Sequence, residues 1–164
     1  MNFKINDNKE ERYDDYGQMS PNFHYNEFSC PCGCEPKQKV NRKLLENLER
    51  LRFLINKPIY ITKGGGIRCK PYNDRVGGYI SSPHLKGKAA DIYIKPNTFY
   101  GLIDLAHKAD KVGFTRIGLY PFSHFIHVDI IPPSPSNSWV RDVNGKYFYF
   151  TSLATAIEFA NELT

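Results

Sequence analysis

Between Val40 and Leu54 the apolar positions Val40, Leu44, Leu45, Leu48, Leu51 and Leu54 recur at intervals of three and four. That period places them along one side of a helix, so it predicts an amphipathic helix over about 40–56, ended by Pro58. Ile59-Tyr60-Ile61-Thr62 then predicts a strand, stopped by Gly64-Gly65-Gly66. Ala90-Asp91-Ile92-Tyr93-Ile94 predicts a second strand with Asp91 near its start. Leu102, Ile103, Leu105 and Ala106 mark the apolar side of a helix over about 98–111, which Gly113 closes. Two more strand-like runs, 116–120 and 125–130, flank Pro121-Phe122-Ser123-His124 and predict a hairpin. Pro132, Pro133 and Pro135 break this order, and a strand over 146–150 with a helix over about 152–162 closes the chain.

Residues 1–20 are rich in Asp, Glu, Lys and Asn with few apolar anchors. They read as a flexible N-terminal arm ahead of a single domain over 21–164. Residues 22–28 read as a short turn or helix leading into a cysteine loop. Strands joined in part by a hairpin, interspersed with helices, imply an α+β domain whose central, largely antiparallel sheet is flanked by helices. With 164 residues, 41% hydrophobic and 14% aromatic, the chain has enough apolar side chain to build a core.

No apolar run reaches the roughly 18 residues of a membrane helix, so no membrane partner is expected. Met1-Asn2-Phe3-Lys4-Ile5-Asn6-Asp7 lacks the apolar stretch of a secretory signal. That leaves a chain made for the cytosol, one that leaves by another route, or one whose signal has been removed. The net charge of +5 invites a polyanionic partner. Its carriers are dispersed, however, with Lys37, Lys39, Arg42 and Lys43 in one region and Lys86 and Lys88 in another. With no recognition-helix pattern and no zinc-finger spacing, nucleic acid is not expected. A monomer is expected, its basic surface serving solubility or an anionic cell-wall polymer.

Candidate chemistry lies in two sets of residues. Cys30, Cys32 and Cys34 form a Cys-x-Cys-x-Cys run, tighter than the Cys-x-x-Cys knuckle of structural zinc sites, and Cys69 is the fourth thiol. Reduced thiols, or one disulfide tying the 30–34 loop to Cys69, are expected ahead of a second metal held by these thiols with His24. The second set is His84, Asp91 and His127. Two imidazoles and a carboxylate suit zinc, and three protein donors leave a fourth position open, the mark of a catalytic site. Gly87 allows a tight turn between His84 and Asp91, and Ala89 and Ala90 are small enough to lie against a core. Taken alone, either histidine is more often a satisfied surface or core residue than a ligand.

The string Ser82, His84, Gly87, Ala89 and Asp91 fits Ser-x-His-x-x-Gly-x-Ala-x-Asp, and Phe125-Ile126-His127-Val128-Asp129 follows downstream. Together they resemble the zinc D-alanyl-D-alanine carboxypeptidase family, whose fold is shared with the hedgehog signalling domain. Asn22-Phe23 through Cys30, the stretch from Ile59 to Asn73 with Arg68-Cys69, Gly77-Gly78 and Gly118-Leu119-Tyr120 extend the resemblance over about 22–130. It implies that His84, Asp91 and His127 bind Zn2+ and that the chain is a zinc-dependent peptidase. Its substrate would be an amide bond in peptidoglycan stem peptides, either D-alanyl-D-alanine (carboxypeptidase) or L-alanyl-D-glutamate (endopeptidase). Such an enzyme acts on the cell wall, secreted or released as a phage endolysin. Arg68 resembles an arginine that holds substrate or stabilises its oxyanion, against the plainer reading of a surface salt bridge. Ser82 either hydrogen-bonds near the metal, on the substrate side, or caps a turn.

The general acid/base stays open between His124, which stands where many relatives carry a carboxylate, and Asp129. Asp129 could instead orient a zinc-bound histidine. Two departures stand out: Gly64-Gly65-Gly66-Ile67 replaces the family's Ser-Gly-Tyr, which predicts a more mobile substrate-side loop. Ile130-Ile131-Pro132 also stands where many relatives have an arginine. The alternative from another class is a non-enzymatic zinc-binding module that binds cell wall or a protein partner.

Overall fold

The computed structural model describes residues 17–34 and 38–164. Of the expected N-terminal arm, residues 1–16 lie outside the described part. Within the rest of it, β1 (Gln18–Ser20) pairs antiparallel with β2 (Phe23–His24). Buried Glu49 secures this ribbon by accepting from the Ser20 hydroxyl, the Asn22 amide at 2.8 Å and Asn22 Nδ2 at 2.6 Å. The short helix α1 (Tyr25–Phe28) follows, capped reciprocally by His24 and Glu27.

Helix α2 (Arg42–Ile55) starts at an Asn41 cap and ends on left-handed Asn56, two residues before Pro58. After β3 (Ile59–Ile61) come α3 (Lys70–Arg75) and a single 3-10 turn, Pro83–Lys86. Strand β4 (Ala89–Ile94) leads to α4 (Phe99–Val112), capped by Thr98. Then come the hairpin β5 (Arg116–Tyr120) and β6 (Phe125–Asp129), β7 (Ser138–Arg141), β8 (Tyr147–Phe150) and α5 (Leu153–Leu163). The strongly periodic helices fall where the apolar pattern predicts them. The pattern does not announce β7, four residues long and preceded by prolines, or α3, whose Pro71 is tolerated only because it lies in the first turn.

Six strands form one sheet in the order β3-β4-β6-β5-β7-β8. Every pairing is antiparallel except β5 with β7, so the sheet is mixed rather than wholly antiparallel. Alternation along the strands sorts side chains to two faces. Ala90 and Ile92, Ile126 and Val128, and Ile117 and Leu119 turn to one face. There they join Leu44, Leu48 and Leu51 of α2, Leu102 and Leu105 of α4, and Ala156 and Ala160 of α5 in one apolar core. The opposite face receives Asp91, His127, Asp129, Arg116, Gly118 and Trp139. One row of this face runs straight across four strands, because Asp91 is paired with His127, His127 with Gly118, and Gly118 with Trp139.

Candidate metal centre

That row brings Asp91 and His127 side by side, and the 3-10 turn lowers His84 onto them from outside the sheet. The turn is held by Leu85 N–H on the Ser82 carbonyl at 3.0 Å, by Arg68 N–H on the His84 carbonyl at 3.1 Å, and by left-handed Gly87 at its end. A side chain at Gly87 would also collide with the Lys39 carbonyl, so glycine is required there twice over. His84, Asp91 and His127 are all buried.

Three donor atoms converge. His84 Nε2 and Asp91 Oδ1 are 3.2 Å apart, His127 Nδ1 and Asp91 Oδ1 2.9 Å, and His84 Nε2 and His127 Nδ1 3.1 Å. Each ring is committed on its far side. His84 Nδ1–H donates to the Gly66 carbonyl at 2.8 Å, and His127 Nε2–H donates to Asp129 Oδ2 at 3.0 Å. A carbonyl only accepts, so Gly66 fixes the His84 tautomer and turns its Nε2 lone pair toward the other two donors, while His127 lies between two carboxylates, Asp129 behind it and Asp91 in front. A cation among the three atoms would take the place of any proton on His127 Nδ1 and leave both imidazoles as neutral ligands beside the Asp91 carboxylate. A tetrahedral zinc ion with bonds of about 2.0–2.1 Å separates its donors by about 3.3 Å, close to the observed spacing. The donor set therefore fits zinc and leaves a side without a protein ligand.

The surroundings hold the carboxylates charged. Burial opposes ionisation of Asp91, but His84 and His127 outweigh it and keep its carboxyl far below the usual carboxylate range. Burial lowers the basicity of His84. It acts the same way on His127, yet hydrogen bonds to Asp129 and Asp91 prevail and raise it. Asp129 is likewise buried but held low by His127 and Arg116.

The remaining residues singled out in the sequence separate into distinct places. Arg68 donates through Nη2 to Asp91 Oδ2 at 2.7 Å and through Nε to the Gly64 carbonyl at 2.6 Å. It is therefore not a surface salt bridge: its side chain is 15% exposed and grips the carboxylate from behind. Ser82 is buried at the head of the 3-10 turn and makes no side-chain cap there. Asp129, fully buried, receives Arg116 Nε at 3.0 Å and Nη2 at 2.7 Å, the Ile131 amide at 2.9 Å and the His127 ring. Its contact is with the His127 nitrogen that faces away from the convergent donors, so it orients that ring. His124 adopts left-handed backbone at the hairpin tip, with Nδ1 3.1 Å from the Asn97 carbonyl. Three strand residues, about 10 Å, separate it from His127. His24 Nδ1 accepts from the Asn26 amide in the α1 cap, and His107 is exposed on α4.

The glycine run is not the loose substrate-side loop its composition predicts. Gly64, Gly65 and Gly66 are buried, and Gly65 exchanges backbone contacts with Thr62 and Asp91 while Gly66 offers its carbonyl to His84. A side chain at Gly66 would strike the Phe28 backbone, so the missing side chains serve close packing.

Three contributors were given no place in the site by the sequence, because they depend on register. Trp139 reaches His127, with ring centroids 5.1 Å apart, by lying across Gly118, where any side chain would clash with the indole. Arg116 supports Asp129. Tyr120, on the same face, stacks on Phe125 at 4.3 Å, and its hydroxyl is held protonated well above the usual phenol range by burial and by the negative charge of Asp91.

An α+β sheet carrying two histidines and an aspartate that converge, each oriented from behind, has the make-up of a metallohydrolase. The family model described as Peptidase M15 matches residues 21–129, and the chain belongs to that family, the zinc D-alanyl-D-alanine carboxypeptidase type. The match includes all three convergent donors. No individually curated protein matches the chain.

Proposed function

We propose that this protein is a zinc-dependent peptidase that cleaves an amide bond in the stem peptides of peptidoglycan. The observation that carries this reading is the set of three facing donor atoms, His84 Nε2, Asp91 Oδ1 and His127 Nδ1, all within 3.2 Å of one another, with Gly66 and Asp129 holding the rings from behind. His84, Asp91 and His127 hold the ion. When bound, zinc polarises a carbonyl and makes water nucleophilic near neutral pH.

The chain's own groups supply the rest. Arg68 keeps Asp91 charged and aimed, and its remaining N–H groups are available to a substrate carboxylate or oxyanion. The Tyr120 hydroxyl, retained as a phenol, is a second hydrogen-bond donor on the same face. Asp129 positions His127 and is itself saturated with donors. Ser82 lines the approach beside His84. His124, at the hairpin tip, takes part in proton transfer only if the tip closes toward the centre. The bond is D-alanyl-D-alanine or L-alanyl-D-glutamate, and the protein works as a monomer on the wall, reached by export or by release with a phage.

The test is peptide release from purified peptidoglycan, read by mass spectrometry on defined muropeptides, for wild type and His84→Ala with and without chelator. Wild type should release fragments, lose this with chelator and regain it with zinc, while His84→Ala stays at background. Metal-independent release would overturn the reading. Binding to the wall with no release from several wall types would mark a non-enzymatic module instead.

A further inference from the structure

A second cluster lies outside the centre just described. The sulfurs of Cys30 and Cys32 are 3.3 Å apart, those of Cys32 and Cys69 3.5 Å, and those of Cys30 and Cys69 3.7 Å. Cys34 joins them, so that all four Sγ atoms lie within 4.8 Å of one another, and none is in a disulfide. Thiols are weak hydrogen-bond partners, so S–H contacts alone give little reason for four of them to gather from two segments of the chain. On a tetrahedral zinc ion with bonds of about 2.3 Å, sulfurs sit about 3.8 Å apart, near the spacing found.

We infer that Cys30, Cys32, Cys34 and Cys69 form a second metal centre, a closed tetrathiolate zinc site with a structural role. The local backbone is built for it. Gly33 N–H donates to the Cys30 carbonyl at 3.1 Å, a tight turn that brings the first three sulfurs to one side. Cys69 caps α3, its sulfur accepting the Tyr72 amide at 3.4 Å, as a thiolate ligand does. With four protein donors this centre has no place for substrate, unlike the three-donor centre. Soft thiolates select zinc over hard cations. Uptake turns four thiols into four thiolates and passes their protons to solvent. His24 takes no part, being committed to the α1 cap.

The site would fasten the 30–34 loop to the start of α3, one residue from Arg68. The same two segments are already joined by Ile67 N–H on the Phe28 carbonyl at 2.8 Å. The thiolate centre thus braces the wall that carries Arg68 and the Gly66 carbonyl, and through them Asp91 and His84.

Metal analysis of the full chain purified under reducing conditions tests this. Wild type should carry about two zinc ions, and His84→Ala and the double variant Cys32→Ser/Cys34→Ser about one each. His84→Ala loaded with cobalt(II) should show a thiolate-to-cobalt charge-transfer band, which the histidine–aspartate centre cannot give. In the native holoprotein all four thiols should resist a thiol reagent, and all four should react once chelator and denaturant are added. The cobalt and thiol readouts keep every cysteine, so they hold even where the double variant fails to fold. A single zinc that survives the cysteine substitutions, no charge-transfer band, or a chain lighter by about 2 or 4 Da from disulfides would overturn the inference. Because His84→Ala empties only the first centre, failure here is separable from failure of the peptidase reading.

Discussion

His127 shows how much of a site can rest on one ring. Its Nδ1 faces Asp91, its Nε2 is fixed by Asp129, and Trp139 covers its side. Removing the charge behind it should therefore cost metal affinity. Asp129→Asn is expected to weaken zinc binding about 10- to 100-fold, measured by competition with a chromophoric chelator. Unchanged affinity would remove Asp129 from its orienting role. Tyr120 gives a pH signature of its own, set by burial and by the charge of Asp91. Its folded value is raised, so below about pH 10, the unfolded value, its contribution to stability is complete. As pH climbs past that point the unfolded chain loses its phenol proton first, and stability falls. Tyr120→Phe should lose less stability than wild type between about pH 10 and 11.5, by denaturant midpoint. Equal slopes would show that the hydroxyl is not held protonated. The donors His84, Asp91 and His127 were readable in the chain because they belong to short local strings. Arg116, Tyr120 and Trp139 were not, since only strand register brings them to that face.

Among the elements, legibility followed period and length. Helices α2 and α4 have three or more turns of regular apolar spacing, and their predicted bounds lie within two residues of those found. The ribbon β1–β2 was hidden because its order comes from a distant partner, Glu49 on α2. Glu49→Ala leaves Ser20 and Asn22 without their acceptor and should destabilise the protein by about 2–3 kcal/mol, read by urea denaturation. A loss below about 0.5 kcal/mol would mean that the latch contributes nothing measurable. The glycine run misled for a related reason. Glycine reads as freedom when the chain is considered locally, yet here Gly65 lets the backbone press against Asp91 and Gly66 lets it press against Phe28.

At the scale of the whole molecule, the sheet divides its work between faces: the apolar face joins the helices into a core, and the other carries the centre. The α+β class followed from the alternation of patterns, whereas the parallel step from β5 to β7 did not, because a long connection separates the two strands. The family match ends at Asp129, while β7, β8 and α5 lie beyond it, β7 pairing with β5 and β8 with β7. A shortened version stopped after β6 would still own every candidate ligand of the first centre. It would also lay bare a row of unmatched amides and carbonyls along β5, an invitation for copies to zip together. Size-exclusion chromatography of such a version should show oligomers or precipitate where the full chain elutes as one small species. The last fifth or so of the polypeptide, which adds no ligand to the first centre, is thus what keeps the catalytic sheet from becoming its own glue.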